Sequence, residues 1–265
     1  MRNLVKADFY KLQRSKAFWI CTALGIAVGI LMVVGMRAAL NRALSNPNPD
    51  GEQAQMAKMA GQVNGVWILT QMLPRGFNLI FVGVFVAIFI SSEFGYGTIK
   101  NTLSRGADRT KVFASKLLVC TVASLVMLFT FLATLVIAGS IVWGFDPQGT
   151  VTAGGFIGMI ALQTLLMIAF TALFTFISMT IRSGGGSIAT NIVSALMVST
   201  LLGAINLLFS DKVDITQYWL TTAISNLATT TPVTSDVVRG IVVALVWGIA
   251  SVVVGIVLFR KQDVK

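Results

Sequence analysis

Six long apolar runs dominate this chain of 265 residues. A helix needs about 20 apolar residues to cross the hydrocarbon core of a bilayer. Only 11% of the residues are charged, whereas a typical soluble domain has about 25%. The sequence therefore predicts an all-α integral membrane protein, in which residues 1–265 form one domain with six transmembrane helices. The six runs cover residues 17–36, 76–92, 117–143, 153–181, 187–209 and 237–259.

The basic residues lie mostly at one end of these predicted helices. Fourteen of the twenty Lys and Arg precede the first run, follow the sixth, or lie in the connections between runs 2 and 3 and runs 4 and 5. Because Lys and Arg concentrate in cytoplasmic loops, both termini are predicted to be on the cytoplasmic side of a plasma or inner membrane. The same rule explains the formal charge of +10 without a nucleic-acid partner.

Residues 1–15 have the pattern of an amphipathic helix that lies in the membrane interface. Apolar residues, among them Phe9, share one arc, and most of the polar residues, Arg14 included, lie opposite. Asp8 interrupts the apolar arc, and Lys11 three residues later is a suitable partner for it. The sequence leaves two interpretations open: a basic anchor that fixes topology, or a docking element for a cytoplasmic partner.

The connection at 91–116 is too polar to cross the membrane, yet it carries signals for local structure. Thr98–Ser104 is predicted to form a short helix, which Gly106 ends in the left-handed conformation. Asp108 then caps the third transmembrane helix. Glu93 follows the second run, and its carboxylate, close to Lys100 and Arg109 in the sequence, is expected to make the connection rigid.

Two motifs in these segments resemble the permease subunits of ABC-2-type exporters. One begins with Glu93-Phe94, continues as Gly97-Thr98-Ile99-Lys100-Asn101, and ends with Leu103-Ser104-Arg105-Gly106 and Arg109. The other begins with Asp8-Phe9 and runs through Lys11, Arg14 and Trp19, although those permeases often have Glu in place of Asp8. The most similar subgroup is the bacitracin- and lantibiotic-resistance permeases and related peptide exporters.

This resemblance implies a role for each segment. Residues 1–15, with Asp8, Phe9, Lys11 and Arg14, would form the interfacial helix, and a re-entrant element would lie between helices 5 and 6. Asn78 and Asn206 would face the transport path. A coupling helix would contact a separate ATP-binding subunit. The coupling residues would be Glu93, Gly97, Thr98, Ile99, Lys100, Asn101, Ser104, Arg105, Gly106 and Arg109.

The chain lacks the residues for its own ATP chemistry, because it has no GxxxxGK[ST] phosphate-binding loop. It is not expected to be an enzyme or to bind a metal or cofactor, and the partner subunit would bind ATP and Mg. The resemblance further implies a second permease subunit, identical or paralogous, and its subgroup implies an antimicrobial-type peptide as substrate. Neutral amides within the predicted spans, such as those of Asn78 and Asn206, favour an amphipathic or lipid-like substrate over an ion. The alternatives are a non-transporting sensor or immunity protein and a passive channel.

Overall fold

The computed structural model describes residues 2–46, 51–146, 149, 151–208 and 214–262. Over these ranges the chain forms eleven α-helices and three short 3-10 segments, at Ala60–Gln62, Leu73–Arg75 and Ile215–Tyr218. Residue 1 of the predicted interfacial helix, residue 209 of the predicted fifth span and residues 210–213 before the predicted re-entrant element lie outside the described residues. The helices are α1 (Arg2–Arg14), α2 (Lys16–Ser45), α3 (Glu52–Met59), α4 (Gly65–Met72), α5 (Phe77–Gly95), α6 (Thr98–Ser104), α7 (Arg109–Trp143), α8 (Ala153–Ile181), α9 (Gly184–Leu208), α10 (Leu220–Asn226) and α11 (Thr234–Lys261).

Six of the helices in the described ranges, α2, α5, α7, α8, α9 and α11, are long and apolar enough to cross a membrane. This confirms the all-α fold with six spans. Two of them extend well beyond the apolar runs: α2 continues to Ser45, and α7 already begins at Arg109. Hydropathy locates the part of a helix inside the hydrocarbon, whereas the backbone hydrogen bonds continue into the polar interface.

Side-chain caps set the beginning of several helices. Ser15, Asp108 and Thr152 each accept a hydrogen bond from a backbone amide two or three residues later, at 2.9–3.4 Å. Such caps satisfy amides that have no partner inside the helix. The cap that the sequence assigned to Asp108 is confirmed.

The connection between α8 and α9 is shorter than the glycine-rich stretch 182–187 suggests. Ser183 Oγ accepts a hydrogen bond of 3.2 Å from the amide of Gly186, so α9 already begins at Gly184. The turn consists of Arg182 and Ser183, and Arg182 has a left-handed backbone with φ 61°.

A short buried helix, α4, precedes the second span, α5, and a break in the helix separates the two. The break contains Pro74, which has no amide to donate, and Gly76, which has φ 71°. The apolar face of α4, with Ile68, is fully buried. Gly65 lets α4 approach α7 closely, because a Cβ atom there would lie 2.5 Å from Ser140 Oγ.

Aromatic rings and a few polar groups hold the spans together. Phe85, Phe113 and Phe170 have no exposed surface. Asn191 in α9 donates one hydrogen bond to the carbonyl of Gly83 in α5, at 2.9 Å, and another to Ser178 Oγ in α8, at 3.2 Å. A single buried amide therefore connects three spans, as polar residues inside membranes commonly do.

The segment between α9 and α11 folds back into the helix bundle. Gln163 Nε2 donates a hydrogen bond of 3.0 Å to the carbonyl of Ile224 in α10, and Thr221 donates one of the same length to the carbonyl of Ala195. At a rise of 1.5 Å per residue, these partners lie about 15 and 20 Å along α8 and α9 from the ends nearest this segment. Trp219 packs edge-on against Trp247 of α11, with ring centroids 4.8 Å apart.

Candidate functional site

Both ends of the described chain lie at one face of the bundle, which we call the terminal face. Here α1 packs against the first turns of α7, and the side chain of Arg109 reaches the last turn of α11. The end of α5 and the whole of α6 complete this assembly. The segments that carry the predicted coupling and interfacial residues are therefore in contact, although they are far apart in the sequence.

A cluster of four charged side chains lies at the centre of this assembly. Lys116 Nζ is 2.5 Å from Asp8 Oδ1 and 2.6 Å from Glu93 Oε1. Lys11 Nζ is 3.2 Å from the same Glu93 oxygen, and Ser115 Oγ donates a hydrogen bond of 2.6 Å to Asp8 Oδ2. We refer to Asp8, Lys11, Glu93 and Lys116 as the ion cluster.

Three members of the ion cluster are almost completely buried. Lys116 is 3% exposed, Asp8 5% and Glu93 6%, while the side chain of Lys11 is 40% exposed. A buried charge is tolerated only when it is paired and hydrogen-bonded. The two cations and two anions balance, so the cluster satisfies this requirement within the chain.

The partners that the sequence suggested for Glu93 are wrong. Its carboxylate binds Lys11 and Lys116; Lys100 is exposed on α6. Arg109 instead donates hydrogen bonds to the carbonyls of Phe259, at 3.1 Å, and of Arg260 and Gln262. These carbonyls end α11, where a cation is favoured because the helix dipole is negative there.

The burial of Asp8 explains its position in the apolar arc of α1. That arc faces α7. Within the arc, Leu12 is buried and Phe9 packs against the core. Asp8 is therefore directed at Ser115 and Lys116. On the other side of the helix, Arg14 lies over the ring of Tyr10, 4.3 Å from its centroid.

The short helix α6 has one anchored face and one open face. Ile99 is buried, while Lys100, Asn101, Ser104 and Arg105 are exposed. Gly97, with φ 67°, precedes the helix and Gly106, with φ 83°, follows it, so the predicted bounds and the left-handed end are confirmed. Thr98 is half-buried in the first turn.

Sequence reasoning missed two residues of this assembly. Lys116 joins the two carboxylates of the cluster, and Tyr96 beside α6 is 83% exposed. An isolated Lys at the start of an apolar run is ordinary, so the local signal for Lys116 was the position of Asp8 inside the apolar arc. Tyr96 lies within the motif that begins with Glu93-Phe94, and no local pattern distinguishes it there.

The two residues suggested for the transport path have different environments. Asn78 is 5% exposed, and its Nδ2 finds no hydrogen-bond acceptor among the described residues. Asn206 binds Asp214 beyond the end of α9, with 2.6 Å between Nδ2 and Oδ1. Hydrogen bonds from Thr216 and Gln217 hold the pKa of the Asp214 carboxyl below its ordinary value.

Together, the six spans and the assembly at the terminal face define a polytopic helical membrane protein that has a charge-linked cluster of helices at one side of the membrane. Comparison with protein families gives its membership: the chain belongs to the ABC-2 family of transporters. The family model described as ABC-2 family transporter protein matches residues 4–195, which include the ion cluster and α6. A comparison with curated proteins finds no match. As a member of this family, the chain is a membrane-spanning transporter component and not itself an ATPase.

Proposed function

We propose that this chain is the permease subunit of an ATP-driven exporter, and that the open face of α6 contacts a separate ATP-binding subunit. The observation that carries the proposal is the two-sided environment of α6. Its inner face, with Ile99, is buried, while Lys100 and Arg105 project outward. A helix that is packed on one side and exposed on the other can be displaced by a bound partner and transmit that displacement to the spans.

The connections of α6 favour this role. One residue pair, Tyr96 and Gly97, separates it from α5, and the four residues 105–108 separate it from α7. Any displacement of α6 therefore acts directly on the second and third spans. ATP and Mg would be bound by the partner subunit, and its closure around ATP would supply the displacement.

In this account the terminal face is cytoplasmic, and the protein lies in a bacterial plasma membrane. Most of the Lys and Arg residues lie at this face, as the positive-inside rule requires. Two permease subunits, identical or paralogous, would form a dimer within the membrane and would bind two ATP-binding subunits at the terminal face. Their interface would lie on spans whose apolar side chains are exposed in the single chain, as in α2 with Leu31 at 67% exposure.

The interior of the bundle favours a substrate without a strong charge. Its buried polar groups include amides such as those of Asn78, Gln163 and Asn191. Trp219 and α10 insert as a re-entrant element from the face opposite the terminal face, where they would close the exit. These features suit an amphipathic peptide or a lipid-like molecule, and the subgroup resemblance suggests an antimicrobial-type peptide.

A polar cavity of about 300 Å³ at the opposite face favours a second candidate function. Asn64, Trp67 and Thr230 are among the residues that line it. A protein that senses peptide at the outer face without transporting it would need a cavity of this kind. This alternative, like a passive channel, requires no ATP-binding partner.

Purification of the tagged chain from its native membranes in mild detergent separates these functions. We expect an ATP-binding protein to copurify in a stoichiometric amount, and we expect Lys100→Glu/Arg105→Glu to abolish the association. Both residues are exposed, so the substitutions should not disturb the fold. The matched control, Arg42→Glu/Lys58→Glu, reverses two exposed cations away from α6 and should leave the association intact. A chain that purifies without any ATP-binding protein would support the sensor or channel instead.

A further inference from the structure

We propose that Lys116 is the positioning residue that joins α1, α5 and α7 into one rigid unit, so that movement of α6 reaches the third span. The inference rests on the proposed function for its biological meaning. Its geometric part, the rigid unit, can be tested without an ATP-binding subunit.

The contacts of the ion cluster form a closed triangle. Lys116 belongs to α7, Asp8 to α1 and Glu93 to α5, and the ammonium group lies within 2.6 Å of both carboxylates. Lys11 closes the third side, because it connects α1 to Glu93 at 3.2 Å. No two of these helices can slide past each other without breaking an ion pair.

The carboxylate of Asp8 is held by both of its oxygens. Oδ1 binds Lys116, and Oδ2 accepts the hydrogen bond from Ser115 at 2.6 Å. Two adjacent residues of α7 thus fix both the position and the direction of this side chain. The contact is more specific than apolar packing, which tolerates rotation and sliding of the helix.

The inner face of α6 borders the same cluster. Ile99 and Thr102 of α6, together with Asp8, Glu93 and Lys116, are among the residues lining a cavity of about 60 Å³. A displacement of α6 toward the membrane therefore presses on the joined helices. Because α7 is a single helix of 35 residues, about 52 Å long, it can carry that displacement across the membrane.

Stability alone gives little reason to bury these charges. Replacing a buried ion network by apolar residues of similar volume is often neutral or stabilising, whereas removing one partner is strongly destabilising. A cluster that serves only stability and a cluster that serves transmission therefore respond differently to balanced neutralisation. This difference makes the two roles separable by experiment.

The test uses the permease assembled with its ATP-binding subunits in lipid vesicles. It follows the transport of a fluorescently labelled amphipathic antimicrobial peptide and compares three variants. Lys116→Met removes the central cation and leaves an excess negative charge. Lys116→Met/Asp8→Asn restores the balance, because Glu93 and Lys11 remain as a pair. Lys111→Met removes an exposed Lys from the same helix and serves as the control.

We expect Lys116→Met to lower the thermal unfolding temperature and the transport rate. The balanced double variant should regain most of the unfolding temperature and retain ATP hydrolysis within about twofold of the native complex. Its transport should stay at least about tenfold lower, because no ion pair joins α1 to α7 any longer. Recovery of transport together with stability in the double variant, or normal transport by Lys116→Met, would show that the cluster is only structural.

A distance measurement tests the rigid unit on the isolated permease. Spin labels at Tyr10→Cys in α1 and Lys111→Cys in α7, both exposed positions, are introduced after Cys21 and Cys120 are replaced by Ala. We expect one narrow distance distribution with native Lys116 and a clearly broader one in Lys116→Met. Equal widths would overturn the inference. A missing ATP-binding partner would refute the proposed function but leave this measurement unaffected.

Discussion

Gln163 provides a direct test of how α10 is held inside the bundle. Its side-chain amide donates a hydrogen bond of 3.0 Å to the carbonyl of Ile224, and both groups are buried. That carbonyl lies in the last turn of α10, where helical carbonyls have no partner in their own helix. Replacing Gln163 by Leu keeps a side chain of similar size but leaves the carbonyl without a donor.

The expected cost follows from this geometry. A buried acceptor without a donor costs about 1–3 kcal/mol, although hydrogen bonds between membrane helices have averaged about 0.6 kcal/mol. Since Gln163 reaches deep into the bundle, we expect about 1 kcal/mol. This corresponds to about a fivefold larger population of the state in which α10 has detached, because 1.4 kcal/mol is about a factor of ten.

Hydrogen exchange of the α10 amides in lipid nanodiscs measures that population. In Gln163→Leu, the amides of Leu220–Asn226 should exchange about fivefold faster, while those of α8 around the substitution should be unchanged. Gln71→Leu, at an exposed glutamine of α4, is the control and should have no effect on α10. Exchange within twofold of the native rate would refute the idea that this bond retains the half-inserted helix.

Three further substitutions test separate parts of the account. Tyr96→Ala should leave the unfolding temperature unchanged, because the side chain is 83% exposed, but weaken association with the ATP-binding subunit about tenfold or more in a pull-down titration. Gly97→Ala forces a Cβ atom onto a residue with φ 67°, which should lower the free energy of unfolding by about 1–3 kcal/mol. Thermal unfolding followed by circular dichroism should detect this loss. The control Gly95→Ala, in open space within a helix, should unfold at the same temperature as the native protein. Gly155→Ala would place a Cβ atom 2.2 Å from a backbone carbonyl after α10, which should lower the unfolding temperature by several degrees, whereas Gly154→Ala has nothing within 4 Å and should not.

The sequence predicted the fold well because membrane insertion constrains it so strongly. Each run of about 20 apolar residues has few alternatives to a spanning helix. Local signals also predicted the short elements: Gly106 and Asp108 identified the end of α6 and the beginning of α7. Both features depend on residues that are close together in the chain.

The ion cluster could not be predicted in the same way. Asp8 and Lys116 are 108 residues apart, and the sequence does not show which faces of α1 and α7 meet. Hydropathy suggested that the apolar arc of α1 contacts lipid, while the structure packs it against α7. The carboxylate of Asp8 inside that arc was the one local sign that protein, and not lipid, covers this face.

The second span shows a further limit. Pro74 in the sequence favours a break before the second span, but no local signal shows whether the residues before it form a helix or lie along the interface. The structure shows α4 as a buried half-helix against α7. Close packing of Gly65 against α7 accounts for the buried position of α4. The contact depends on Ser140, which is 75 positions away in the sequence.

We propose above that the open face of α6 contacts a separate ATP-binding protein in the cytoplasm. The most direct test of this contact is a photo-crosslinking amino acid at Ser104, an exposed position of α6, compared with the same amino acid at Met59, an exposed position in α3. We expect a crosslink in native membranes between position 104 and an ATP-binding protein, and none from position 59. If position 104 forms no such crosslink while the protein is folded in the membrane, the assignment of α6 as the coupling helix is contradicted.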